Sequence, residues 1–185
     1  MRRSKDQTRY RNLDAAYGLF WRQGFLRVSM DDVAARARLT KRTLYQHFRS
    51  KDDLMAAALA HSSELAIQRL KFRRPSQPDA LIDSFFGELA EWAAKPKWSG
   101  GGFTRAVMEL ADLRGHPARA IARRHKTAVE TWLADALGTA GVVSSADRAK
   151  EIMLLMEGAM ALMLIHGDRH YAGAAAAAAK ALIQR

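Results

Sequence analysis

Three helix-start signals follow one another within residues 29–53, and their closeness constrains the fold more than any other feature of the sequence. Ser29 has Asp32 three positions on, the pattern of an N-cap with its capping box. Thr40 is the next cap, and Ser50 with Asp53 is the third. The first two helices, each cut off by the next start, are short, so packing rather than length must hold them. Their apolar residues suit this: Val33 and Ala37 fall inward on the first, and Leu44 and Phe48 inward on the second, which is expected to run through Phe48. Leu39 packs just before the cap. Ahead of them, a helix over 6–23 puts Leu13, Ala16, Tyr17 and Phe20 on one face and ends at Gly24. Ser50 opens a long fourth helix to about Phe72.

The rest of the chain continues the 3.6-residue period and shows no sustained period-2 alternation, so the expected fold class is all-α. The stretch RRPSQPD reads as a connection. Helices are expected over 79–94, 103–113, 117–137, 146–166 and 170–183, with KPKWSGGG as a glycine-rich, mobile loop. The alanine run 174–179 has high helix propensity. No internal repeat is evident. The organisation predicted is a head over 1–53, joined by the long fourth helix to an antiparallel helical body over 54–185.

Charge separates the two. Residues 1–53 hold 13 Lys/Arg against 6 Asp/Glu, a net of +7, whereas the other 132 residues contribute only +4 of the total +11. A short segment with most of the excess points to a polyanion. Solubility alone is the plainer reading of that charge. A membrane surface is the rival, but no basic helix has a continuous lipid-facing apolar side. The stretch 152–165 is too short to span a bilayer and carries Glu157, and the start MRRSKDQTRY lacks the apolar run of a secretory signal, so a cytoplasmic protein is expected. Cysteine is absent, which excludes disulfides, thiol nucleophiles and cysteine-ligated zinc. Arg2, Arg3 and Lys5 suit either a minor-groove arm or a frayed tail.

With Leu44 and Phe48 inward, Lys41, Arg42, Thr43, Gln46 and His47 are left outward. Such a face is compatible with plain solvation. It is equally suited to the major groove of DNA, where Arg or Lys matches guanine O6 and N7 and Thr meets a thymine methyl. A short preceding helix joined by a tight turn would brace it, the helix-turn-helix geometry. Hydroxyls of Ser29 and Thr40 suit phosphates.

The string GFLRVSMDDVAARARLTKRTLYQHFRSKDDL, residues 24–54, resembles the DNA-binding head of the TetR (tetracycline-repressor) family of transcription regulators. The matching features are Gly24-Phe25, Ser29, Val33-Ala34, Thr43-Leu44-Tyr45, His47-Phe48 and Ser50-Lys51 leading to Leu54. The resemblance implies that Ser29, Tyr45, His47 and Lys51 grip phosphates while Lys41, Arg42 and Thr43 face base edges. Arg38 stands where the turn usually has glycine, so positive φ there would cost about 1 kcal/mol, and its side chain offers one more phosphate contact.

For the body the resemblance implies a homodimer formed by the last two helices, in which Gly158, Ala159 and Ala161 permit close approach. It also implies a cavity for a small-molecule effector, with Trp92, Phe103, Met108, Trp132, Met153, Met156, Glu157 and Met160 as candidate lining residues alongside Trp98 and Met163. Each is equally suited to ordinary core. Glu157 needs a partner: a cationic ligand, an arginine, or a wet dimer interface. The implied protein is a repressor released from a palindromic operator when an inducer shifts the fourth helix, with no cofactor and no metal. The competing class is a small-molecule enzyme with an incidental basic head, for which Glu157, His166, Asp168 and His170 offer acid, base and ligand groups. A nonspecific nucleic-acid binder is the third.

Overall fold

Every regular element among the described residues is a helix, and each follows the apolar period of its sequence. A computed structural model describes residues 5–72 and 77–184, the side chains of residues 5–8, 10 and 11 excepted. Arg2, Arg3 and most of the RRPSQPD connection lie outside them. The order is α1 Lys5–Gln23, α2 Met30–Ala37, α3 Lys41–Tyr45, α4 Lys51–Phe72, α5 Pro78–Ala93, α6 Gly102–Glu109, α7 Pro117–Thr139, α8 Ser145–His166 and α9 His170–Ile183. Two helices are shorter than their sequence suggests. Leu44 and Phe48 hold α3 to the core, yet after Tyr45 the chain tightens: the His47 amide donates to the Leu44 carbonyl at 3.0 Å. Likewise α6 stops at Glu109, and Leu110, although fully buried, packs from a turn. Among these helices, none is long and apolar enough to cross a membrane.

The three cap signals form as read. Ser29 Oγ accepts from the Asp32 amide at 3.1 Å while the Asp32 carboxylate accepts from the Ser29 amide at 2.8 Å, so two orphan amides of α2 are satisfied reciprocally. Thr40 Oγ1 accepts from the Thr43 amide, and Ser50 Oγ from the Asp53 amide, both at 3.1 Å. Each such cap is worth about 1 kcal/mol, a large share of what a five-residue helix can call on. At the other end of α2, Arg38 sits at φ 56°, ψ 48°, in the left-handed region. Its amide and that of Leu39 donate back to Ala35 and Ala34, the Schellman pattern that turns the chain sharply into Thr40. Glycine would adopt this geometry without the clash an L-side chain meets there.

The chain divides into two compact units: residues 1–66 with 102–125, and residues 67–101 with 126–185. In the first, Phe20, Phe25, Val33, Leu44, Phe48, Leu54 and Leu59 share a core with Phe103, Ala106 and Leu110 of the α6 region and Ala118 and Ala122 of α7. Phe20 and Phe25 stack at 5.6 Å, closing the corner after α1. Gly102 is buried at the start of α6, and a Cβ there would stand 2.5 Å from the Tyr17 hydroxyl, so only glycine admits that approach. In the second unit α5, α7, α8 and α9 bury Ile82, Phe86, Leu133, Ile152 and Met160 together with Ala172, Ala175, Ala176 and Ala179. The alanines let α9 lie close to its neighbours, and Lys180 ties it to Asp83 of α5 at 2.8 Å. Trp98, in the glycine-rich loop, packs edge-on against Trp92 at 5.7 Å.

Replacing Arg38 by glycine relieves the left-handed turn, and urea denaturation should show a gain of about 0.5–1 kcal/mol; a loss would mean that the arginine is unstrained there. The Asp32 carboxyl is held below its usual range, first by the Ser29 hydroxyl and then by the Ser29 amide. A depressed carboxyl contributes stability above its ordinary value and loses it as pH falls through the lower one. The difference in melting temperature between wild type and Asp32→Asn should therefore be widest at neutral pH and close below about pH 4. A difference unchanged across that range would contradict the capping box.

Candidate nucleic-acid interface

Nine candidate contact residues fall within 29–51, from the N-cap of α2 through the turn, α3 and the tightened turn after it to the first residue of α4. Leu44 and Phe48 are buried, which turns the other side of α3 to solvent. Lys41, Arg42, Tyr45 and His47 are exposed, Thr43 is half-buried, and Ser29, Arg38 and Thr40 are exposed around the turn. With the half-buried Lys51, one segment thus presents four cations, three hydroxyls of Ser and Thr, a phenol and an imidazole.

Several of these groups already have partners. Thr43 Oγ1 lies 2.8 Å from Thr40 Oγ1, so the cap fixes the hydroxyl beside it. Lys41 Nζ donates to Asp31 of α2 at 2.8 Å, and that hydrogen bond and the adjoining negative charge hold its ammonium above the ordinary range. The Ser29 hydroxyl donates to the Asp32 carboxylate at 2.7 Å. Lys51 is the most constrained: its ammonium donates to the Leu26 carbonyl at 2.8 Å. Burial pushes the Lys51 ammonium down, while Asp52, Glu109 and Asp32 act in the other direction. An ammonium carries three donors, so this bond leaves two for an anion. Arg9 of α1 places its guanidinium 5.9 Å from the Phe48 ring, adding a cation that helix periodicity gave no reason to select. Asp31 and Arg9 were thus both missed by the sequence reading; Asp31 lies ten residues from its partner, on the preceding helix.

The candidate effector residues divide between the units. Phe103 and Met108 lie in the first, where Phe103 is buried face to face on His125 at 3.7 Å and Met108 is exposed on α6. Trp92, Trp132, Met153, Met156, Glu157 and Met160 lie in the second. Trp132, Met153 and Met160 are buried, while Trp92 and Met156 are partly so. A crevice lined by Leu70, Leu81, Ser84, Phe85, Glu88 and Trp132 encloses about 10 Å³, room for roughly one water. Glu157 is ion-paired with Lys126 of α7, so its partner within the chain is a lysine and not the expected arginine.

Several histidines pair with groups distant in sequence, which spacing could not reveal, and one pairs locally. Ser63 Oγ lies 2.9 Å from His125 Nδ1, linking α4 to α7. His61 meets Asp14, and His116 meets Asp52, each at 3.2 Å. Asp168 accepts from both the amide and the ring of His170, capping the start of α9. Among the described residues, no three His, Asp or Glu side chains converge on a metal position.

Comparison with known proteins agrees with this geometry. Residues 13–58 match the family of bacterial regulatory proteins known as the tetR family. Over 83 residues the chain is 34% identical to the HTH-type transcriptional regulator UidR of Escherichia coli K12, an alignment that covers 45% of this chain and 41% of that protein. The chain thus matches about two fifths of the length of that curated relative. Among solved structures, the reduced form of Escherichia coli NemR superposes with a TM-score of 0.86 at 21% identity, covering 94% of this chain and 96% of the other. A TetR-family transcriptional regulator from Streptomyces coelicolor gives 0.83 at 22%, covering 97% and 95%. The tetR-family match lies in residues 13–58, and the likeness of fold to these solved structures runs along nearly the whole chain.

Proposed function

We propose that the protein is a dimeric, sequence-specific DNA-binding regulator of transcription that works in the cytoplasm and is no enzyme. The observation that carries this reading is the braced α3: two buried anchors beneath it, a capped start, and Lys41, Arg42 and Thr43 facing out. Residues 1–53 are the DNA-binding part and 54–185 the effector and dimer part. Lys41, Arg42 and Thr43 read bases, while Ser29, Arg38, Thr40, Tyr45, His47 and Lys51 meet phosphates.

Operators of this kind are read by paired heads about 34 Å apart, so a partner surface is required. The second unit offers one in its last two helices. Leu154, Gly158, Ala161, Leu162 and Ile165 are all exposed on α8, at the spacing of a single stripe. On α9, Gly173, Ala174, Ala177 and Ala178 are exposed beside small neighbours. Two copies joined through these faces bury the stripe and present two heads. An effector bound among the candidate residues of the body opens the packed interior and releases the repressor from an inverted-repeat operator through α4.

Selection of bound fragments from random duplex DNA is the primary test and should return an inverted repeat; fragments with no shared motif would refute the reading. On that site Arg42→Ala should cost about 1–3 kcal/mol and relax the base preference, whereas His47→Ala should weaken binding to all sequences alike. Sedimentation of Ile165→Glu should show a monomer where the unsubstituted chain is a dimer. A substituted chain that stays dimeric would place the interface elsewhere.

A further inference from the structure

The corner between α1 and α2 is held from α6, more than 80 residues away in sequence. Glu109 Oε2 accepts from the Leu26 amide at 3.1 Å. Its other oxygen accepts from Arg105 Nε at 2.6 Å, one turn earlier on the same helix. Arg105 reaches further, donating through Nη1 to the Trp21 carbonyl at 2.7 Å. That carbonyl belongs to the last turn of α1, where helix carbonyls lack intrahelical donors and a cation is favoured. On its far side Leu26 is held again, because its own carbonyl accepts from Lys51 Nζ at 2.8 Å. A single residue of the corner is therefore fixed by α6 at its amide and by the first residue of α4 at its carbonyl.

Gly24 is shaped to this arrangement. It has φ 104°, and a Cβ there would stand 3.2 Å from Glu109 Oε2 and 3.3 Å from Arg105 Nη2. A side chain at this position would meet backbone strain and crowd the ion pair, so glycine suits the close approach of the pair to the corner. Glu109 and Arg105 are both partly buried, which shields the pair from solvent more than an exposed one.

We propose that Glu109, oriented by Arg105, is a positioning residue for the DNA-contacting surface: it fixes the Leu26 backbone, and through it the place of the Lys51 ammonium. This rests on the regulator reading given above. Glu109 touches no DNA in this role. Its loss leaves the base-reading face of α3 intact and frees the corner that sets Lys51, so affinity falls for every sequence while base preference stays.

Full-length Glu109→Ala and Glu109→Gln, compared with the unsubstituted chain, test it by two measurements: amide hydrogen exchange across residues 24–28, and binding to the selected duplex and a scrambled one. In Glu109→Ala the Leu26 amide should exchange at least about tenfold faster while the Leu44 and Leu54 amides hold. Binding to both duplexes should weaken by about tenfold or more in parallel. Glu109→Gln keeps an oxygen that accepts from Leu26, so protection and affinity should both stay within about threefold of wild type. The proposal is overturned if Leu26 exchange does not change in Glu109→Ala, or if it rises while binding stays within about twofold. Should Glu109→Ala loosen the Leu44 and Leu54 amides too, Glu109→Gln decides, and lost affinity with a protected Leu26 amide overturns the proposal. Failure of the unsubstituted chain to prefer the selected duplex would instead sink the regulator reading, a result visible before any substitution is made.

Discussion

Burial of Leu44 and Phe48 is the contact on which the outward face of α3 depends. A helix of five residues has too few internal hydrogen bonds to persist alone in water. These two side chains, fully buried against α1, α2 and α4, hold it in register, while Thr40 closes one end and the tightened turn after Tyr45 closes the other. Everything displayed to solvent by this segment inherits its position from those anchors. The face is therefore a property of the whole head: a cavity opened under Phe48 would disturb the presentation of Lys41 and Arg42 without touching either.

The core beneath this face is larger than the three short helices. Phe103, Ala106 and Leu110 from the α6 region and Ala118 and Ala122 from α7 join it, so the head packs as part of a unit assembled from two distant stretches of chain. Polar groups follow the same pattern. Glu109 reaches the Leu26 amide, His116 meets Asp52, and Ser63 meets His125. In each pair a polar side chain from α6, α7 or the turn between them finds its partner in the corner after α1 or on α4.

What the sequence made legible is local. Ser29 with Asp32, Thr40, and Ser50 with Asp53 are separated from their partners by three residues, so their hydrogen bonds could be read from spacing alone. Helix ends were less legible. Phe48 and Leu110 carry the right apolar period for a helix, yet each does its packing from a turn, and periodicity registers burial rather than backbone form. Contacts spanning tens of residues left no local signal: Lys126 could not be chosen as the partner of Glu157, nor Leu26 as that of Glu109. The candidate effector residues show the same limit, since large flexible side chains suit a packed core and a ligand cavity equally well.

The Lys41–Asp31 pair has a consequence for how ionic strength acts on this head. A lysine free in solution attracts small anions, and a phosphate that binds it takes their place. Lys41 is already paired with Asp31 of α2, so turning to a base edge, as the proposed function has it, is a change of partner that leaves Asp31 to gather its own cations from the buffer. Under the proposed function, counting basic side chains therefore overstates how steeply salt would weaken a DNA complex, because the acid beside Lys41 already offsets part of its charge.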